Sequence, residues 1–366
     1  MGGPAEPPEG TPEGGPGGGG GSEDEYRSVV FDESFVRAAR LQEFSAQERI
    51  ADHAPAVRRT PALRRGLTRQ AVILVVLIAI AFGTAIYMGV RSPYRSTPAS
   101  RQTEPLRMTV IPLAPTGAVP GAVSVEELYA HSPAATFGQL AKGIELPANP
   151  ARTEHFSDSQ VVAALTTAKD YLVDSSLDPD VLAGGSAGDL RAVRTLVDPQ
   201  QFVQFDQSME HPVADGRHAA TGWVVRFDPA QAELADPHIR VRGTLNAVES
   251  EDAESLEVVS NHTFVYALRP AGAHADARAS LFTVRRELHF RFDREDLRNH
   301  QAEVLVSYLQ AGPLACSTDS AAQLHPLLAG QTAKKEGPAG TDPYATGSAT
   351  ASALCGALAS SAQPAV

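Results

Sequence analysis

Residues 71–90 read AVILVVLIAIAFGTAIYMGV, twenty positions with no charge and almost all apolar. As one α-helix this run matches the ~30 Å hydrocarbon thickness of a bilayer while satisfying its own backbone, so it predicts a transmembrane helix. The apolar positions beyond it are periodic. Ser157 and Gln160 fit a capping box and Phe156 with Val161 a hydrophobic staple, after which Val161, Leu165, Ala168 and Leu172 recur at helical spacing. The spacing predicts an amphipathic helix ending near Ser175, with Asp178-Pro179 beyond it. A glycine loop, Ala183 to Gly188, then leads to a second helix from about Asp189 to Val197, and shorter helical pieces are expected near residues 125–130 and 136–143.

From Ala219 the period changes to two. Trp223, Val225 and Phe227 alternate, then Ile239, Val241 and Leu245, then Leu256, Val258, Phe264, Tyr266 and Leu268. Phe282, Val284, Leu288, Phe290 and Phe292 form a fourth stretch, and Val304, Val306 and Tyr308 a fifth. Arg240, Arg242, Arg285, Arg291 and Arg294 fall at positions suited to solvent-facing sites. Helices followed by strands predict an α+β domain with helices on one face of an antiparallel sheet, similar in pattern to an NTF2-like cone or a cystatin-like sheet. That similarity carries no function.

The chain therefore divides into seven stretches. Residues 1–22 are Gly- and Pro-rich without core-forming side chains and are expected to be disordered. Residues 23–50 hold the aromatics of the leading arm, 51–70 form a basic juxtamembrane segment, and 71–90 the transmembrane helix. Residues 91–121, with Pro93, Pro98, Pro105, Pro112, Pro115 and Pro120, read as an extended stalk. The α+β domain is placed at 122–329 and a low-complexity tail at 330–366.

Charge bears on topology and partners. With 31 basic and 43 acidic residues the chain carries −12, which argues against nucleic-acid binding. Arg58, Arg59, Arg64, Arg65 and Arg69 precede the apolar run and Arg91, Arg95, Arg101 and Arg107 follow it, a small excess favouring a cytoplasmic N-terminus. These arginines either contact anionic membrane lipid, at about 1 kcal/mol each, or serve as a topology signal only. Both cysteines, Cys316 and Cys355, lie on the trailing side, where an extracytoplasmic, oxidising location lets them pair. Two independent thiols are the alternative.

Tyr26, Phe31, Phe35 and Phe44 are the aromatics of the cytoplasmic arm. Asp32 is placed to cap a helix there, with Glu33 and Arg37 as a four-residue ion pair, yet the apolar positions make no single stripe. One reading is a docking segment that folds on a cytoplasmic protein with the aromatics as anchors; the others are contact with the bilayer surface or simple disorder. The stretch VVFDESFVRAARLQEFSAQER, followed by arginines and one apolar helix, resembles the shared N-terminal segment of a poorly characterised family of single-pass membrane proteins from mycelial, spore-forming, high-GC Gram-positive bacteria. The resemblance covers residues 26–90. It implies a cell-membrane location and an association with envelope or spore-wall assembly, and it brings no catalytic residues.

Motifs for chemistry are sparse. His211, His218 and His289 stand without Cys or carboxylate at metal-ligand spacing, Gly184-Gly185-Ser186 lacks the Gly-x-Ser-x-Gly pattern, and no phosphate-binding Gly-x-x-x-x-Gly-Lys occurs. No catalytic residue, cofactor or metal is expected. If the domain is a cone, Trp223, Phe264, Tyr266 and Phe290 either line a cavity or pack as core. The leading expectation is a non-enzymatic adaptor joining a cytoplasmic partner to an envelope protein or polymer. A transmembrane signal transducer with an outer sensor domain is the second reading, and an extracytoplasmic enzyme or ligand carrier the third.

Overall fold

The apolar run lies within one helix, α1 (Arg65–Arg91, 27 residues), about 40 Å long at 1.5 Å per residue. The computed structural model describes residues 65–91, 103–250, 253–334, 340–345 and 354–366. Met1–Arg95 and Ser96–Val366 form two separate units. In α1 the large apolar side chains from Val72 to Phe82 are exposed, and Thr84 returns its hydroxyl to the Ile80 carbonyl at 2.6 Å. Among the described residues no helix is long and apolar enough to cross a membrane. Tyr26, Phe31, Phe35 and Phe44 lie outside the described residues.

The second unit is α+β. Its longest helix, α3 (Asp158–Ser176), follows the short α2 (Val125–Ala130) and begins with the expected capping box: Ser157 Oγ accepts from Gln160 N, and Gln160 Oε1 accepts from Ser157 N at 2.9 Å. Val161, Leu165, Ala168 and Leu172 are all buried, as their spacing requires. Asp178 caps the single turn α4 (Pro179–Leu182), and α5 (Arg191–Thr195), α6 (Phe202–Glu210) and α7 (Ala220–Trp223) follow. The expected helix at 136–143 is instead two 3-10 turns, Pro133–Thr136 and Leu140–Gly143, flanking the two-residue strand β2 (Gly138–Gln139).

The sheet comprises β1 (Arg107–Ala114), β2, β3 (Ala232–Leu234), β4 (Arg240–Glu249), β5 (Leu256–Pro270), β6 (Ser280–Phe292), β7 (Glu303–Gly312) and β8 (Gly356–Ala357). Helix α8 (Arg294–Asn299) lies between β6 and β7. The strand order is β2-β4-β5-β6-β7-β1-β8, with β3 extending the β4 side of β5. Strands β4 to β7 are antiparallel and hold four of the five predicted alternations. The sheet is antiparallel-dominated rather than wholly antiparallel, because β1 runs parallel to both β7 and β8.

Three local expectations are revised. Trp223, Val225 and Phe227 do not form a ladder strand: Trp223 ends α7, while Val225 N–H and Phe227 N–H bind the carbonyls of Ser175 and Leu182, which end α3 and α4. Arg285 and Arg291 are buried rather than solvent-facing. Strand β1 occupies part of the interval read as stalk, and Pro112 fits because its missing N–H faces the strand's outer edge. That parity follows from Met108 N–H, which binds Gly216 O at 2.8 Å on the outer side, and from Ala114 O, which accepts Leu358 N–H from the β8 segment.

The larger core lies between the helices and one sheet face, where Leu165, Tyr171, Leu172, Trp223, Phe264, Phe282 and Phe290 meet. A smaller core covers part of the opposite face, built from Tyr129, Phe137, Val265, Ala267 and Leu281. The C-terminal stretch joins it through Tyr344, Leu358 and Ala362, with Tyr344 edge-on to Phe137 at 5.8 Å and its hydroxyl 2.9 Å from Thr283 Oγ1. Cys316 and Cys355 form a disulfide with Cα atoms 5.7 Å apart.

Candidate functional site

The interior where a cone cavity would lie is filled. Trp223, Phe264, Tyr266 and Phe290 are fully buried in the larger core, Phe290 edge-on to Tyr171 at 5.3 Å and Trp223 edge-on to Phe205 at 5.2 Å. None of the four lines either cavity described below.

At the centre of this interior stands Arg286, fully buried and without a carboxylate partner among the described residues. Its Nη1 donates to Ser175 Oγ at 2.8 Å and Ser176 Oγ at 2.7 Å, and its Nη2 to the Trp223 carbonyl at 2.8 Å. Ser175 and Ser176 end α3, and Trp223 ends α7, so the cation lies where carbonyls lack intrahelical donors and the helix dipole is negative. The hydroxyls of Tyr171, Tyr266 and Ser307 complete the arrangement, donating to the carbonyls of Trp223, Ser176 and Gly222 at 2.8, 2.9 and 2.6 Å. Burial lowers the Arg286 pKa and raises Tyr171 to about 12. Beside Arg286 in the ladder, His262 accepts or donates at 2.8 Å to Ser260 Oγ, and burial pushes its pKa down to about 4, which keeps two cations from facing each other. This polar cluster terminates helices.

The histidines with close carboxylates are peripheral. His218 Nδ1 is 2.6 Å from Asp215, and His289 Nε2 is 3.1 Å from Glu287. Among the described residues no group of three or more His, Cys, Asp or Glu could hold a metal ion.

The accessible recesses lie around β1. A polar cavity of about 240 Å³ is lined by Thr103, Glu104, Gln200, Gln204, Arg217 and His218, among others. There the glutamines act as backbone mimics: Gln204 accepts from Leu106 N–H at 2.8 Å and donates to Leu106 O at 2.9 Å, and Gln201 donates to Glu104 O at 2.8 Å. These bonds fasten the chain as it enters the domain.

A second cavity, about 370 Å³, runs along the outer edge of β1. Met108, Thr109, Val110 and Pro112 form its floor, with Gly216 and Ala219 on one wall and Cys316, Asp319, Ser320 and Leu354 elsewhere around it. Strand β8 pairs with β1 only at Leu113 and Ala114. Gly216 O occupies the Met108 N–H. Between these covers, the Pro112 C=O is engaged by the parallel Leu113–Gly356 register with β8, and the outward N–H and C=O of Val110 have no partner among the described residues. Ser320 is 8% exposed, and its hydroxyl likewise lacks a hydrogen-bond partner there. Leu354, in contrast, is 89% exposed.

Sequence reading singled out neither Arg286 nor the β1 edge. Arg286 had a signal, since it shares the parity of Phe282, Val284, Leu288 and Phe290. The edge had none, because four segments remote in the chain build it. No family model, curated protein or solved structure matches this chain.

Proposed function

We propose that this chain is a non-enzymatic, single-pass membrane adaptor. In this reading α1 is the anchor, the arm bearing Tyr26, Phe31, Phe35 and Phe44 recruits a cytoplasmic protein, and the α+β domain outside the membrane engages an envelope protein or polymer. The uncharged run Ala71–Val90 within a 27-residue helix supports the anchor, and the Cys316–Cys355 pair suits an oxidising compartment.

One observation carries the binding role. At the centre of the domain the Arg286 Nη1 and Nη2 groups are engaged by helix-end hydroxyls and a carbonyl, although its Nε and His262 Nε2 have no partner among the described residues, whereas an incomplete sheet edge opens onto a cavity of about 370 Å³. A domain arranged in this way offers a docking edge rather than an enclosed reaction centre.

The test combines topology with capture. Protease treatment of intact cells should remove the cysteine-bearing domain and spare the arm. Pull-down of the full chain from membranes should lose a cytoplasmic partner when Phe31, Phe35 and Phe44 are changed to Ala. Identical partners with and without the three aromatics would remove the arm's role, and protection of the domain would invert the topology.

A further inference from the structure

We infer that the β1 edge of the outer domain binds an extended, basic peptide segment of a partner protein by strand addition, in the groove between the Gly216 loop and β8. The inference deepens the adaptor reading by naming the outer partner's chemistry, and it rests on that reading only for the biological setting.

Three features of the groove define its occupant. The first is the unfinished ladder. From Met108 to Ala114, about 20 Å of strand, even-numbered residues face outward. Met108 N–H and Ala114 O are occupied by Gly216 O and Leu358 N–H, and Pro112 C=O by the parallel Leu113–Gly356 register with β8, leaving the N–H and C=O of Val110 between them. An added strand would continue the edge pairing that β8 already makes, so the groove is continuous with an interface within the chain itself. The second is Ser320, nine-tenths buried in the wall with a hydroxyl that has no partner among the described residues. A buried hydroxyl in that condition is destabilising, and a peptide amide or carbonyl in the groove relieves it.

The third is charge. Asp319 is the one charged residue among those lining the groove; its Oδ1 receives the Ala321 N–H at 2.9 Å, and no cation neutralises it among the described residues. A chain of net charge −12 with an exposed carboxylate at this edge selects a lysine- or arginine-bearing strand over an acidic one. The walls of Ala214, Gly216, Ala219 and Ala321 leave room for small side chains beside the backbone, and exposed Leu354 supplies an apolar contact at the rim. Strand addition is a noncovalent association, so no further reactant is required.

The experiment uses the full chain in detergent with two pools of acetylated, amidated heptapeptides alternating valine with serine or threonine, one ending in lysines and one in glutamates. Hydrogen exchange of the Val110 amide is the readout, with fluorescence polarisation for affinity. The lysine pool should slow Val110 exchange at least tenfold and bind at least tenfold tighter than the glutamate pool. Asp319→Lys should reverse that preference. Val110→Pro removes an N–H that serves no ladder bond, as Pro112 already does, so it should abolish binding while leaving the unfolding transition in place.

If neither pool protects Val110 at millimolar concentration, or if Val110→Pro binds as well as wild type, the inference is overturned. Protection that rises with protein concentration alone, without peptide, would assign the edge to a second copy of this chain and equally overturn it. None of these failures touches the arm-dependent capture described above, so the two readings fail separately.

Discussion

The Cys316–Cys355 disulfide closes a loop with a sequence separation of 39, and its removal gives the most quantitative test of how the domain is held. In the chain-entropy account the loop term is −2.1 − 1.5R ln n, which for this loop is ~13 cal/mol/K, or ~4 kcal/mol at 25 °C. The native side of the balance should change little. The segment around Cys355 keeps other attachments: Leu358 N–H to Ala114 O at 2.8 Å, Ala359 N–H to Thr341 O at 3.0 Å, and the burial of Ala357, Leu358 and Ala362. The reduced or Cys316→Ser/Cys355→Ser protein should therefore remain folded and lose stability through a freer unfolded chain. At roughly 2–4 °C per kcal/mol for a unit of this size, its midpoint should fall by ~8–16 °C.

Trp223 is the chain's single tryptophan and is fully buried beside Phe205, so its fluorescence reports the domain's unfolding in the full chain without a label. Urea titrations of oxidised and double-serine protein would give the difference in free energy. A loss under ~1 kcal/mol would refute the loop argument. So would a native tryptophan spectrum already red-shifted on reduction, since that would place the effect in the folded state.

Two further predictions address the buried charges. Burial, reinforced by the charges of Asp293, Asp198 and Glu303, raises Asp296 to about 8, so the folded chain holds a proton there that the unfolded chain releases near pH 4. Stability from this group is full below about pH 4 and falls as pH rises towards 8. His262, lowered to about 4, acts in the opposite sense and only below about pH 6.5. Between pH 6.5 and 8 wild type should thus lose up to ~2 kcal/mol through Asp296, and Asp296→Asn should remove that slope while still accepting the Asp293 N–H; equal slopes in urea titrations would contradict the assignment. For Arg286, Met should be tolerated within about 2 kcal/mol, because Tyr171 and Ser307 still serve the Trp223 and Gly222 carbonyls. Ala should cost about 3–5 kcal/mol through the cavity it leaves, and equal losses for the two variants would show that the guanidinium's bonds outweigh its packing.

Where local chemistry and burial agreed, elements could be read from the sequence. Helix α3 was legible because its cap, its staple and its apolar spacing all act within a few residues, and β4 to β7 because one face of each is packed continuously. Trp223, Val225 and Phe227 show the limit of the same rule: they alternate like a strand, but the amides of Val225 and Phe227 are spent on carbonyls at the ends of α3 and α4. Alternation reports burial of every second side chain, and it does not report which carbonyl a backbone amide will meet. Strand β1 was obscured by the converse effect. Pro112 looks like a strand breaker until its position on an outer edge is known, where the missing N–H removes nothing from the ladder.

The same distinction explains why the candidate site escaped the sequence. An active site built on a short motif leaves a local signature, whereas a free strand edge is defined by what does not pair with it. Val110 is ordinary in its own context, RMTVIPLA; it becomes a docking residue because Gly216 stops one residue pair before it and β8 begins after it. Those two limits come from segments about 100 and 250 residues downstream, brought beside β1 by the parallel β1–β7 pairing and by the Cys316–Cys355 link. Of all the residues around the groove, only the cysteine pair announced a long-range contact in advance. If the edge is functional, substitutions at Gly216 that push its loop towards or away from Val110 should alter peptide binding more than substitutions at an exposed β4 position such as Thr244, because the gap's length rather than any single side chain sets what can enter.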